Sequence, residues 1–345
     1  MEFCAGIVLF HPEIDRLRAN IEAISSQVDK LYIVNNAPED FDRLYEMFGD
    51  GGSPKSNALH KSNAPPKSAE IIWVNNDSNL GIAVALNQLI TAADKDGYEW
   101  ILTLDQDSVC DEKLAQKLYE ASQNYENTAM VSPRVMERGT LWEDGKKTGS
   151  TERGGNTAQG ITKRSGDIKT GNTEQGNAPK QGNTPDIEDM TFCITSGTLT
   201  NIKAVKSVGG FEERLFIDEV DRDICIRLRY QGYRLLRANT AELNHQFGLE
   251  LVHRKLFFKT YSYRNYSPFR VYYQVRNLVY MVRKYGSDYK TYPAWRLIRP
   301  LFTFFVKFIF EPERFARLKA FFKGYTAGLF MKAEKVKPKP KLSQN

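Results

Sequence analysis

Along the first part of the chain, short apolar runs alternate with stretches whose apolar positions recur every three to four residues. The runs AGIVLF, KLYIVNN, EIIWVNN and EWILTLDQD are apolar without alternation, the pattern of strands buried on both faces. Between them, Ile14 to Gln27 and GIAVALNQLITAA carry helical spacing. Strand, helix, strand, helix, strand predicts an α/β domain with a mainly parallel sheet sandwiched by helices. Ligands of such sheets collect outside the carboxyl ends of the strands. Attention therefore falls on Asn35-Asn36, on Asn75 to Asn79 and on Asp105 to Asp107.

Two segments break the pattern. Residues 50 to 68 are rich in Gly, Ser, Pro, Asn and Lys, and residues 139 to 185 repeat small polar units such as KTGNTEQGN. The second buries too little apolar surface to offset its ordering entropy and is expected to be a disordered insertion between strands at MVSPRV and MTFCIT. After it, Val220, Ile224 and Leu228 recur at helical spacing between Asp218, an N-cap candidate, and Gly232, a stop signal. That predicts a helix over about 219 to 231. Beyond His245 the pattern turns helical, basic and aromatic, and KVKPKPKLSQN reads as an unstructured tail. The organisation expected is a catalytic domain over 1–250, a helical region over 251–332 and a tail over 333–345.

Charge changes this picture. The net charge of +6 hides 27 Lys and Arg against 38 Asp and Glu in 1–250, and 21 against 4 in 251–345. A basic, aromatic end beside an acidic body fits an anionic surface: a membrane, a diphosphate-bearing acceptor or a nucleic acid. LFTFFVKFIF is too short to span a bilayer, so the region is expected to lie on one. The same aromatics would alternatively pack on the catalytic domain or in a homodimer interface. The four cysteines form no CxxC pair, which suits reduced thiols, and MEFCAGIVLFHP reads as a buried strand rather than a signal peptide. A cytoplasmic location is expected, peripheral at the inner face of the cell membrane.

The chemistry concentrates in three places. In TLDQDS, Asp105 and Asp107 are two apart on extended chain, so both carboxylates can converge on one hard cation; the plain reading is a polar turn capping a helix near Asp111. In NNDSNLGIAVALN, Asn79 and Gly81 lead into a helix whose free N–H groups would cradle a diphosphate, and Asn87 stands on its otherwise apolar surface. In FIDEVDRDICIRLR, Asp221 is the candidate general base, although an acidic first turn is favourable through the helix dipole alone. Asp223 and Arg227 make a structural i,i+4 pair. His245 is a weaker metal candidate, and Arg270 and Arg276 of SPFRVYYQVRN are candidates for phosphate.

In this order GIVLFHP, VNN, NLGIAVALN, LDQDS, SGTL, GGFEERLFIDEVDRDICIRLRYQGY, NHQFG and SPFRVYYQVRN resemble glycosyltransferase family two, and within it the bacterial rhamnosyltransferase group. The likeness covers residues 4 to 138 and 190 to about 285. It implies a GT-A fold, an inverting single displacement from a nucleotide-sugar donor to a glycan or lipid-linked hydroxyl, and a divalent cation, Mg²⁺ or Mn²⁺. It places Asp105 and Asp107 at the metal-diphosphate motif, and Asn79, Gly81 and Asn87 on the nucleotide side. It further places Asn35 and Asn36 near the base or ribose, and Ser196 and Gly197 on the acceptor side. Many relatives carry Glu-Asp where this chain has Val220-Asp221, which keeps Asp221 as base and leaves Asp218 and Glu219 as rivals.

Two readings from other classes compete. A nucleotidylyltransferase would place a Gly-rich basic signature after the first strand, and residues 10 to 20 lack one. A nucleic-acid-binding module built on the basic end fits poorly with the acidic body, and no nucleic-acid partner is expected.

Overall fold

The computed structural model describes residues 3–49, 69–137, 140–143, 146–147, 186–245, 251–256, 259–286 and 313–334, together with Asp288, Tyr292, Phe304, Phe308 and Phe310. Its centre is one mixed sheet. Strands β1 (Cys4–Leu9), β2 (Lys30–Asn35), β3 (Glu70–Asn75) and β4 (Trp100–Asp105) are mutually parallel in the order β3-β2-β1-β4. Strand β10 (Thr198–Asn201) pairs antiparallel with β4 and with β6 (Thr128–Glu137). Beyond β6 comes β11 (Arg234–His245), parallel to it, and then the short β5 (Ser108–Cys110).

Helices cover both faces because the central strands β1, β2 and β4 are apolar on both, whereas β3, at the edge of the sheet, buries none of its residues fully. On one side α1 (Ile14–Ser25), α2 (Phe41–Phe48) and α4 (Leu114–Ser122) bury Leu17, Ile24, Leu44 and Leu118. On the other, α3 (Ile82–Lys95), α5 (Ile202–Ser207) and α6 (Val220–Tyr230) bury Leu89, Val205 and Ile224. Each such side chain contributes on the order of 2 kcal/mol of transfer free energy. Gly6 lets α3 approach closely: a Cβ there would meet Leu89 at 2.7 Å.

The β4–β5 connection positions the site. Strand β4 ends at Asp105, and the chain then crosses to β5, which pairs antiparallel with β11 so that Ser108 lies opposite His245. A residue 137 positions away is thereby brought beside the Asp105–Asp107 turn.

Past β11 the structure departs from expectation. Strands β12 (Leu251–Leu256) and β13 (Lys259–Arg264) pair antiparallel where the sequence pattern suggested helix. Period-2 alternation in KTYSYR outweighs helical spacing over so short a stretch. Then α7 (Pro268–Tyr285) starts with proline at its first turn, Ser267 accepting the N–H of Arg270, and α8 (Arg314–Phe330) lies against it. A buried ionic cluster fastens α7 to the sheet domain. Asp223 accepts from Arg227 at 2.6 Å, Lys284 at 2.7 Å and Tyr285 at 2.6 Å, and Glu212 accepts from Lys284 and Tyr280. The Asp223–Arg227 pair is structural, as its spacing suggested.

Other expectations are corrected locally. MTFCIT is not a strand; its chain is held by side chains, Cys225 Sγ accepting from the Cys193 N–H and Thr103 donating to the Thr195 carbonyl at 2.7 Å. The strand preceding β10 is instead β9 (Ile187–Asp189), paired with β11. Asp218 does not cap α6: Glu219 takes that position in a left-handed conformation, and Asp218 pairs with Arg270. Helix α4 begins at Leu114 rather than near Asp111. Within 139–185, residues 140–143 and 146–147 are paired strands, β7 (Thr140–Glu143) and β8 (Lys146–Lys147), so the disordered reading fails there. The remainder of that segment, all of 51–67 and the tail beyond residue 334 lie outside the described residues.

Candidate active site

The carboxyl ends of β1 and β4 flank the point where strand order reverses, and Asp105 closes β4 there. One oxygen of Asp105, one of Asp107 and a ring nitrogen of His245 lie within 4.8 Å of one another. His245 Nε2 is 3.9 Å from Asp105 Oδ2, and Nδ1 is 3.6 Å from Asp107 Oδ1. The imidazole is buried and oriented by Ser108 Oγ, 2.8 Å from Nδ1. Ser108 in turn bonds Ser196 Oγ at 2.7 Å, and Ser196 accepts the Asp105 N–H at 3.0 Å. Such a relay fixes the ring and the turn around a cation site.

Helix α1 braces the same turn. Asn20, fully buried, donates to the Asp105 carbonyl and Arg16 to the Asp107 carbonyl, both at 2.8 Å. Gln106 pins the turn to Phe10 at the end of β1, accepting its N–H at 2.8 Å. Both carboxylates keep part of their surface open, Asp105's side chain being 42% accessible and Asp107's 30%. Burial raises the Asp105 carboxyl to about 6, with Arg270 opposing the rise. Asp107 is also raised by burial; His245 opposes this and Asp105 adds to it.

Asp221 stands in the first turn of α6, half-buried. Its Oδ1 accepts from the Thr195 hydroxyl at 2.8 Å, and no ion pair reaches it among the described residues. Burial raises its carboxyl to about 6; the Thr195 hydrogen bond opposes this and the Asp105 charge adds to it. Its two rivals are committed elsewhere. Asp218 forms a two-pronged pair with Arg270 at 3.0 and 3.2 Å, and Glu219 accepts from Tyr292 at 2.9 Å and faces Arg222 at 3.5 Å.

The amide residues at the ends of β2 and β3 form a second cluster. Asn35 donates to Asn75 at 2.9 Å, Asn76 to Asn36 at 2.8 Å, and Asn76 and Gln88 exchange hydrogen bonds at 2.7 and 3.0 Å. Asn79 accepts the Gly81 N–H at 2.9 Å and Asn36 donates to the Gly81 carbonyl at 3.3 Å, so these three sequence candidates are brought together.

The α3 entrance differs from the open cradle expected of it. Gly81, at φ +86°, lies under Phe216, and the first helical N–H, Ile82, donates to the Phe216 carbonyl at 2.7 Å. Asn87 anchors the 211–213 segment: its amide exchanges hydrogen bonds with the Phe211 backbone at 2.7 and 3.0 Å and donates to Glu213 at 2.9 Å. Both ends of its amide are used within the protein.

Of the two arginines, Arg270 faces the site closely enough to act on Asp105. Arg276 turns instead to the 213–219 loop, donating to the Arg214 and Leu215 carbonyls and resting on the Tyr273 ring at 4.5 Å. Asn277 donates to the Leu215, Ile217 and Asp218 carbonyls at 2.7, 2.6 and 3.0 Å. These contacts hold three non-glycine residues at positive φ, Phe216, Asp218 and Glu219, immediately before Asp221. Strain of that kind persists only where the surroundings over-determine it.

Ser196 and Gly197 lie between the Asp105–Asp107 turn and Asp221. Gly197, at φ +73°, donates to the Thr103 carbonyl at 2.7 Å, and a Cβ there would meet Leu243 at 2.5 Å. Sequence reasoning missed Thr195, Ser108, Asn20 and Gln88 as parts of the site, whereas Asn76 lies in the 75–79 stretch it singled out. Only Asn20 left a signal, an amide on the Leu17, Ile21, Ile24 face of α1.

Comparisons with known proteins agree with this fold. A dTDP-rhamnosyl transferase of Shigella flexneri, RfbF, is 26% identical over 285 residues, covering 81% of this chain and 79% of that protein. S. aureus TarS 1-349, solved in complex with UDP-GlcNAc, superposes with a TM-score of 0.51 at 10% identity, covering 95% of this chain and 81% of that one. GalNAc-T7, solved with UDP, GalNAc and Mn²⁺, gives 0.52 at 12% identity over 84% of this chain, which spans about half of it, 49%. At such identities the structural likeness speaks for the fold alone. The family model described as Glycosyl transferase family 2 matches residues 7–179, and the chain, with its GT-A fold, belongs to that family.

Proposed function

We propose that the chain is an inverting glycosyltransferase that takes a sugar from a nucleotide diphosphate to a hydroxyl of a glycan or lipid-linked acceptor in cell-surface polysaccharide synthesis. The observation that carries this reading is the convergence of Asp105, Asp107 and His245 at the strand-order reversal, beside a carboxylate, Asp221, that has no ion pair among the described residues. Two carboxylates and an imidazole suit Mn²⁺ or Mg²⁺. Bound there, a divalent ion would supply positive charge to the departing diphosphate.

The chain's own residues account for the rest. Asp221 takes the proton of the acceptor hydroxyl, whose oxygen bonds to the anomeric carbon on the face opposite the diphosphate as the carbon–diphosphate oxygen bond breaks. A carboxyl raised to about 6 is still ionised at neutral pH and binds a proton more tightly than an ordinary aspartate. Arg270, held by Asp218, places a guanidinium near Asp105 where charge builds on the leaving group. Asn35, Asn36 and Asn79 line the nucleotide side. Rhamnose from dTDP-rhamnose is the donor favoured by the relative RfbF. The basic C-terminal region supports a location at the inner membrane face, where a lipid-linked acceptor resides.

Only a ligand that prefers the folded chain raises its melting temperature. Melting with dTDP, UDP and GDP, each with and without Mn²⁺, is expected to show one nucleotide that stabilises only with the metal, an effect lost in Asp105→Asn. Indifference to all three would sink the reading.

A further inference from the structure

Helix α8 reverses the usual amphipathic arrangement. The side against α7 is lined by small residues: a Cβ on Gly324 would meet the Tyr272 carbonyl at 2.5 Å, and one on Gly328 the Arg276 carbonyl at 2.5 Å. The backbones therefore touch, as small residues four apart allow. Arg283 donates to the Gly328 and Met331 carbonyls at 2.9 and 2.6 Å, and Arg317 donates to the Tyr266 carbonyl, so both ends are fastened. Phe321 is half-buried, its ring 4.6 Å from that of Phe304, but four other large apolar residues point away. Phe315 is 70% exposed, Phe322 58%, Leu329 39% and Phe330 86%. Phe315, Phe322 and Leu329 recur every seven residues and form one stripe. Exposed Lys319 and Lys323 flank it.

A soluble helix turns most of its large apolar residues inward. Glycine facing in and phenylalanine facing out is stable in water only at a cost, which a second apolar phase would remove. No helix among the described residues is long and apolar enough to cross a membrane. The stripe does not face α7, which meets α8 through its Gly324 and Gly328 side. A second copy fits poorly too, since self-pairing of this face brings Lys319 and Lys323 toward their own counterparts.

We infer that the Phe315–Phe322–Leu329 face of α8 is a docking surface for an anionic lipid bilayer, with the aromatics entering the interface and Lys319 and Lys323 meeting lipid phosphates. The flanking charge is of the sign that acidic headgroups attract, and residues 251–345 carry 21 Lys and Arg against 4 Asp and Glu. This deepens the membrane part of the proposed function.

Vesicle sedimentation of the full chain tests it. Wild type is expected to bind phosphatidylglycerol–phosphatidylcholine vesicles at least about tenfold more tightly than phosphatidylcholine alone, and less tightly as salt rises. The double variants Phe315→Ser with Phe322→Ser, and Lys319→Glu with Lys323→Glu, should each lose about tenfold or more of the binding to acidic vesicles. These side chains are exposed, so melting temperature and nucleotide-dependent stabilisation stay as in wild type. That separates failure of docking from failure of the catalytic reading. Wild type that ignores acidic vesicles, variants that bind them undiminished, or self-association abolished by the phenylalanine pair without vesicle binding would overturn the assignment.

Discussion

Thr195 donates its hydroxyl proton to Oδ1 of Asp221 at 2.8 Å, tying the segment before β10 to the first turn of α6. The bond holds the carboxylate in one orientation while leaving it without a cationic partner among the described residues, in contrast to Asp218 and Glu219. Asp221→Asn keeps the shape and the Thr195 contact but cannot take a proton. Transfer is expected to fall by about 10²–10⁴-fold with nucleotide-dependent stabilisation intact; turnover near wild type would remove Asp221 from the role.

The same carboxyl predicts two pH effects. Its proton affinity is raised to about 6 by burial, so kcat/KM should fall with unit slope as pH drops through that region. The Thr195 bond opposes the rise, so Thr195→Val should move the acid limb to higher pH. For stability the sign is reversed. The folded state holds this proton more tightly than the unfolded chain, so the ionised group costs stability once pH exceeds the folded value, and none below the ordinary aspartate range. Asp221→Asn should therefore melt higher than wild type at pH 8 and not at pH 4.

Ser196→Ala removes the hydroxyl that joins the Asp105 N–H to Ser108 and, through it, to His245. No candidate ligand is altered. Loss of an orienting partner of this kind lowers metal affinity by about 10–100-fold. The readout is the Mn²⁺ concentration that half-saturates nucleotide-dependent stabilisation; an unchanged midpoint would show that the relay does not tune the site.

Asn277→Ala tests the loop before the base. One amide donates to three carbonyls that hold Phe216 and Asp218 at positive φ. Leaving buried carbonyls unpaired costs on the order of 2 kcal/mol, read as a lower melting temperature. Since Asp221 follows this loop directly, kcat should fall with it. Full activity in the destabilised variant would show that the loop does not position the base.

The elements legible in the sequence are those whose signal is local. The buried strands ending at Asn35, Asn75 and Asp105, and helices α1, α3 and α6, follow from apolar periodicity, so the parallel half of the sheet could be read directly. Asp105 and Asp107 could be read too, because both lie in one short segment. What could not be read depends on contacts distant in sequence. The sequence offers His245 only as a weaker metal candidate, because its place beside the Asp105–Asp107 turn depends on β5 leaving β4 and pairing with β11, and nothing near residue 245 encodes that pairing. Thr195 sits in a segment that resembles a strand but is shaped by side chains from elsewhere. Short alternating stretches such as β12 and β13 were lost among helical patterns, and α8 hides its packing in two glycines whose neighbours lie about fifty residues away.

Asn87 separates motif from geometry most sharply. Its place on an apolar helix, eight residues after Asn79, suits a nucleotide contact, yet its amide exchanges hydrogen bonds with the Phe211 backbone and donates to Glu213. A Cβ on Gly210 would lie 2.7 Å from its Oδ1, so the asparagine and the Gly209-Gly210 turn fit each other closely. Asn87→Ala strands the Phe211 N–H and carbonyl, at a cost on the order of 1–3 kcal/mol. If Asn87 only anchors this loop, the variant melts several degrees lower while its affinity for the stabilising nucleotide, measured by calorimetry below both melting temperatures, matches wild type. A drop in affinity of tenfold or more, about 1.4 kcal/mol, would instead return Asn87 to the donor site. Gln88, which pairs with Asn76 on the same helix, supplies the contrasting variant. Gln88→Ala breaks the amide cluster at the strand ends, and there the loss is expected in nucleotide affinity as well as in melting temperature.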